Sequence, residues 1–211
     1  MHHGRLIVPP GDVLVHAGDA TSRGTSTQLR SFAAFIAAQP HAHKVVIAGN
    51  HDFGLEQSPA LGAELFGAAY LSDSGRTIEG VRVWGSPWQP WFFDWAFNLP
   101  RGEPLAAKWA LIPDDTDVLV THGPPMGVLD KTSRGEPVGC EALRDRIAQV
   151  RPRLHVFGHI HEAYGVHREG DTLYVNACNC TLAYEPDNPA IVIDLPLDRS
   201  KPAVVVAGPS P

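Results

Sequence analysis

With 211 residues and a formal net charge of −6, the chain has length for one large domain or two small ones. That charge has the wrong sign for a binder of nucleic-acid polymers or anionic membranes, and no apolar run approaches the roughly 20 residues of a membrane span. The start, Met1-His2-His3-Gly4-Arg5, has no charged region followed by a long apolar core, so no secretory signal is read and a cytoplasmic protein is expected.

Pro9-Pro10-Gly11 signals a turn, and residues 12–17 read as a buried strand closed by Gly18-Asp19. Thr25 or Ser26 can cap the next helix, whose apolar positions Leu29, Phe32, Ala33 and Ile36 share one face; Pro40 ends it. A strand at 44–48 completes a strand-helix-strand unit, which implies a parallel pair and an α/β layer. A helix is expected at 59–66, then an antiparallel hairpin of 76–79 and 81–85 joined by Gly80. Residues 86–101 hold Trp88, Trp91, Phe92, Phe93, Trp95 and Phe97 with no period of 2 or 3.6, and read as an ordered aromatic loop. A short helix at 103–111 and a strand at 117–121 follow. Next come a helix with Cys140, Leu143, Ile147 and Val150 on one face, and a strand at 153–157. The remainder reads as strands at 173–176, 191–195 and 203–206. Cys140, Cys178 and Cys180 make no even framework and are read as reduced thiols. With no internal repeat or linker, residues 1–211 are read as one domain.

Four of the strand-like runs end alike. They are Leu14-Val15-His16-Ala17-Gly18-Asp19, Val45-Val46-Ile47-Ala48-Gly49-Asn50-His51-Asp52, Val118-Leu119-Val120-Thr121-His122-Gly123 and Leu154-His155-Val156-Phe157-Gly158-His159-Ile160-His161. Asparagine beside histidine at a strand's end is a poor choice for packing and a good one for a site. Asp19, Asn50, His51, His122, His159 and His161 offer carboxylate, carboxamide and imidazole donors that suit Mn, Fe, Zn, Ni or Mg. His159 and His161 alternate about an extended backbone, which suits two metals better than one. Two divalent ions can clamp a phosphate, acidify a water and stabilise attacking and leaving oxygens. His16 and His155 lie inside apolar runs and are read as core or supporting histidines; His41, His43 and His167 are read as surface. The aromatic loop is read as packing that can also wall a base or aryl group. Arg101 is read as either a phosphate contact or a structural ion pair.

In order, Gly18-Asp19, Gly49-Asn50-His51-Asp52, Thr121-His122-Gly123-Pro124-Pro125 and Gly158-His159-Ile160-His161 resemble the signature of the calcineurin-like metallophosphoesterases. The resemblance runs over about residues 10–195. The stretches Gly85-Ser86-Pro87-Trp88-Gln89-Pro90-Trp91-Phe92 and Phe97-Asn98-Leu99-Pro100-Arg101-Gly102 are similar to the metallophosphoesterase-domain-containing branch of that family. The resemblance implies an α/β fold, a four-layer αββα sandwich of two mixed β-sheets flanked by helices. It implies that Asp19 bridges two divalent metal ions, that Asn50, His122 and His159 complete one site, and that His161 belongs to the other. His51 is the implied catalytic residue, meeting the phosphate with Asn50 and protonating or stabilising the leaving oxygen. The implied reaction is in-line attack by a metal-bound hydroxide on a small phosphodiester or phosphomonoester, a cyclic nucleotide being the favoured guess.

The family opens with a strand ending in Asp-x-His, and those two residues bind the metal that His161 shares. This chain starts too late to contain them. The expectation is a domain without its first strand, a second metal site kept by Asp19 and His161 alone, and a natural protein that begins upstream of Met1. His2 or His3 could stand in, but a chain terminus is a poor preorganised ligand. The incomplete site also supports an alternative, a low-turnover metal- or nucleotide-binding protein.

Overall fold

The structure, a computed structural model, describes residues 3–209. The β-branched run of β1 (Val13–Ala17) pairs in parallel with β2 (His43–Ile47), and α1 (Ser26–Ala38) makes the crossover between them. The Thr25 hydroxyl accepts from the Gln28 N–H at the start of α1, and Leu29, Phe32 and Ile36 are its buried face. Gln39 is already extended ahead of Pro40, the conformation a residue before proline prefers. Two helices follow, α2 (Phe53–Gln57) and α3 (Pro59–Phe66); α2 was not foreseen, since a five-residue helix is too short for a 3.6-residue period to register.

The expected hairpin is β3 (Ser74–Ile78) with β4 (Val81–Ser86). Its turn residues Glu79 and Gly80 take positive φ of 48° and 84°, the two-residue turn whose twist matches that of paired strands. The aromatic stretch is irregular apart from β5 (Gln89–Pro90) and β6 (Asn98–Leu99), a minimal parallel pair. The chain continues through α4 (Glu103–Trp109), β7 (Val118–Thr121), α5 (Glu141–Val150) and β8 (Leu154–Phe157). It ends with β9 (Gly165–Glu169), β10 (Thr172–Asn176), β11 (Val192–Asp194) and β12 (Val204–Ala207).

Six strands form one mixed sheet in the order β3-β4-β7-β8-β10-β9, parallel in the middle and antiparallel at both edges. Alternate residues of its strands bury opposite faces, as a pleat requires. Val118, Val120, Leu154, Val156, Leu173 and Val175 pack against Val45 and Ile47 of β2 and against Ile193 and Val205 of the β11-β12 pair. Leu119, Phe157 and Tyr174 face the other way, onto Leu105 and Trp109 of α4 and Leu143 and Ile147 of α5. The outer side of β2 carries α1 through Val46, Phe32 and Ile36. The layers therefore run α, β, β, α, the sandwich that the sequence led us to expect. The layer facing the large sheet consists of two separate pairs, β1-β2 and β11-β12, and β1 pairs with β2 alone among the described residues.

One histidine departs fully from its expected place, and a second in part. His41 is 5% exposed, with Nε2 3.0 Å from the Pro9 carbonyl oxygen, so the Pro9-Pro10-Gly11 turn folds over a residue read as surface. His167 is exposed as expected, and His43 is half-buried. All three cysteines are free thiols, and the Cys140 sulfur caps α5 by accepting from the Leu143 N–H.

Candidate metal centre

Four parallel strand ends meet across the two inner layers: Asp19 follows β1, Asn50 follows β2, His122 follows β7 and His159 follows β8. Asp19 and His159 reach the meeting point through left-handed backbone, with φ of 59° and 68°. Such conformations are uncommon for residues with side chains and concentrate at functional sites. Glycine at 49 allows the close approach: a Cβ there would lie 2.4 Å from Asp19 Oδ1 and 2.6 Å from His122 Cε1.

The His122 Nδ1 lies 2.9 Å from the Ala17 carbonyl oxygen, so Nδ1 carries a proton and donates it. Its Nε2 then points at two oxygens, Asn50 Oδ1 at 2.8 Å and Asp19 Oδ2 at 3.4 Å. His159 Nδ1 is 2.9 Å from the same Asn50 oxygen. A bare ring nitrogen facing acceptors is repulsive, and a proton or a metal cation between them removes the repulsion. Ligand atoms of Asp19, His122 and His159 all lie within 4.8 Å of one another. Asn50 and His122 are buried, while Asp19 and His159 keep partial exposure, so solvent reaches the cluster. Two oxygens and two imidazole nitrogens make a donor set that fits one borderline-hard divalent ion.

The electrostatics agree. Burial alone would raise the Asp19 carboxyl, but the charge and hydrogen bond of His122, helped by His51 and His159, hold it well below the usual carboxylate range. Burial opposes a charge on His122, yet Asp19 and the Ala17 carbonyl lift that imidazole above its ordinary value. His159 falls to about 3, first through desolvation and then through repulsion by His122. An ionised Asp19 and a neutral His159 are in the protonation state that metal ligands require, whereas the proton that Asp19 draws onto His122 is one that a cation would have to displace.

The other expected site residues are placed as follows. His51 donates its backbone N–H to Asp19 Oδ1 at 2.9 Å, its ring packs 4.4 Å from the Trp95 ring, and its Nδ1 lies 3.2 Å from the Ser22 carbonyl oxygen. A backbone carbonyl thus orients His51, leaving Nε2 free. His161 starts a short 3-10 turn, with Nδ1 2.9 Å from the Thr181 carbonyl oxygen and its ring against Tyr184, outside the Asp19-His122-His159 group. Arg101 bonds the carbonyls of Gly139 and Val138 at 2.7 and 2.9 Å and Glu141 at 2.5 Å, so its guanidinium serves as a clamp between the aromatic loop and the start of α5. His16 Nδ1 accepts from the Gly18 N–H at 3.3 Å; desolvation brings the ring to about 4, and its place is a supporting one. His3 lies against Phe32 and Phe35, and His2 is outside the described residues.

Sequence reading gave no role to Asp52. Its buried carboxylate accepts from the N–H groups of Gly49, Ala20 and Thr21 at 2.9, 3.2 and 3.0 Å and from the Thr21 hydroxyl at 2.8 Å. It staples the loop after β1 to the loop after β2. Burial and the Asp19 charge push Asp52 up to about 6 against the pull of those donors. Its place in Gly49-Asn50-His51-Asp52 was the available signal. Phe92, 5.0 Å from the His159 ring, and Trp95 carry the aromatic loop to the site.

Carboxylate, carboxamide and imidazoles gathered at four parallel strand ends of an αββα sandwich form a candidate metal centre. The calcineurin-like phosphoesterase family model matches residues 3–163, and the chain belongs to that family. It is 45% identical over 219 residues to human metallophosphoesterase domain-containing protein 1, across 92% of this chain and 67% of that protein. Among solved structures, TT1561 of Thermus thermophilus shares the fold with a TM-score of 0.61 at 15% identity, over 92% of this chain and 85% of its own. Phosphopantetheinyl hydrolase from Mycobacterium tuberculosis does so with a TM-score of 0.56 at 16% identity, over 80% and 79% of the two chains.

Proposed function

We propose that this chain is a single-domain hydrolase of small phosphodiesters or phosphomonoesters, with a cyclic nucleotide as the favoured substrate. The observation that carries the reading is the His122 imidazole, pinned at Nδ1 by Ala17 and aimed at the oxygens of Asn50 and Asp19. Asp19, Asn50, His122 and His159 would hold one divalent cation, from among Mn, Fe, Zn, Ni and Mg, and Asp19 with His161 would contribute to a second. A cation there, when bound, acidifies a water and stabilises charge on the phosphoryl group. His51, held by Ser22 and Trp95, presents Nε2 toward the substrate phosphate and can give a proton to the leaving oxygen. Asn50 would hold its carboxamide near the phosphate. Aromatic rings beside His51 and His159 suit a base or aryl group on the ester. A small cytoplasmic substrate is preferred to a nucleic-acid polymer or a membrane, given the net charge of −6. No helix among the described residues is long and apolar enough to cross a membrane.

A second reading, a metal- or nucleotide-binding protein with little turnover, is favoured by His161 alone, which bonds the Thr181 carbonyl outside the cluster. Metal content and hydrolysis of bis(p-nitrophenyl) phosphate separate the two. Metal-dependent turnover that His51→Ala lowers by about 10²–10⁴ supports the hydrolase. One bound ion, tight nucleotide binding and no turnover would establish the binder.

A further inference from the structure

We propose that Arg23 is a substrate-binding residue of the same site, a cationic contact for phosphoryl oxygens presented beside His51. The proposal rests on the hydrolase reading and adds a residue that neither the motifs nor the cluster contains. The segment 20–24 is fixed from within: Asp52 takes the N–H groups of Ala20 and Thr21, and the Thr21 hydroxyl takes that of Gly24 at 2.8 Å. Glycine at 24 is enforced by packing, since a Cβ there would lie 2.5 Å from the Phe53 nitrogen. From this rigid loop Ser22 offers its carbonyl to His51 Nδ1, and the next residue, Arg23, lays its guanidinium 5.4 Å over the Trp95 ring that also touches His51. Arg30, seven residues on, is paired with Glu64 at 3.4 Å. Among the described residues no carboxylate pairs with the Arg23 guanidinium, which is exposed and restrained by the indole alone. An unneutralised guanidinium, preset by an aromatic face beside the phosphate-facing histidine, is the arrangement that recognises a phosphoryl anion.

Calorimetric titration of inorganic phosphate into the full chain, with and without Mn²⁺, tests this. R23Q is expected to raise the phosphate Kd about tenfold, the size of a charge-assisted hydrogen bond. R23K should recover part of the loss, R30Q should bind as wild type, and the thermal midpoints of all variants should coincide. R23Q binding phosphate within twofold of wild type, or R30Q weakened as much as R23Q, overturns the Arg23 assignment and leaves the hydrolase reading intact. A wild-type chain that takes up no Mn²⁺ overturns the hydrolase reading, while the metal-free titration still tests Arg23. Absence of phosphate binding in both conditions overturns Arg23 as well.

Discussion

His159 and His161 are two residues apart in one motif, yet the fold treats them oppositely. His159 sits at the end of β8 in left-handed backbone, bonded to Asn50, packed on Phe92 and held neutral by its surroundings. His161 answers to the irregular segment after β10, through the Thr181 carbonyl and the Tyr184 ring. On the proposed two-metal reading, one half of the site is therefore preorganised by strand ends of two packed layers, the other by a loop. A ligand set held by rigid elements loses little freedom on binding an ion, whereas one held by a loop has to order it.

The largest effect should come from loosening the rigid half at its staple. Asp52→Ala strands the N–H groups of Gly49, Ala20 and Thr21 in a buried place. At about 1–3 kcal/mol for each unsatisfied donor, less partial hydration, a loss of about 4 kcal/mol is expected in urea unfolding. Asp52→Asn keeps some acceptors and should lose about half of that.

The comparison itself is tested by the paired variants His159→Ala and His161→Ala. Losing a ligand of the rigid half should weaken uptake of the first ion by at least about 100-fold, beyond the effect of disturbing a supporting group. His161→Ala should leave that first affinity within about threefold while reducing any second equivalent. Equal losses for both variants in a metal titration would mean that the two halves are not distinct.

A smaller effect follows from His155, on the strand that carries His159. The Thr121 hydroxyl donates to the Gly123 carbonyl, so His155 Nε2, 2.8 Å away, is the donor to that hydroxyl; Nδ1 is left bare and without a partner. Desolvation lowers this imidazole to about 3, against an ordinary value of 6.5. Between those values the unfolded chain binds a proton that the native chain refuses. The stability that His155 contributes is therefore whole above about pH 6.5 and falls as pH falls, by about 2 kcal/mol at pH 5. His155→Gln should remove about 2 kcal/mol of the change in unfolding stability between pH 7 and 5, leaving the share of His16 and His159, which burial brings to about 4 and about 3.

How much of this was legible depended on whether a feature is local. The four strand ends were, because a β-branched run, a glycine and a cluster of polar residues make a local pattern, and β1, β2, β7 and β8 end where that pattern says. The strand β9 was not, since as an edge strand it buries little beyond Gly165 and Val166. Asp52 was visible as a motif letter but not as a staple, because its partners lie on a loop some thirty residues away. His51 has a carbonyl partner, Ser22, and backbone groups leave no mark on residue type. His41 was misplaced because its burial is set by a turn that precedes it by thirty residues.

Arg101 gives the smallest effect and the sharpest check on where the site stops. Sequence allowed a phosphate contact or a structural pair, and the guanidinium is occupied by the Gly139 and Val138 carbonyls and by Glu141. The Glu141 pair is substantially exposed, with side-chain exposures of 41% and 55%, so screening leaves it little weight. The two carbonyl bonds matter more, because they tie the loop after β6 to the segment that caps α5. Arg101→Ala should then lower stability by about 1 kcal/mol and leave the KM for a phosphodiester unchanged, whereas a phosphate contact would raise KM with no change in the unfolding midpoint. Arg101→Lys distinguishes the roles again: a lysine keeps the charge that a phosphate reads but cannot reach two carbonyls in one plane, so stability should stay reduced.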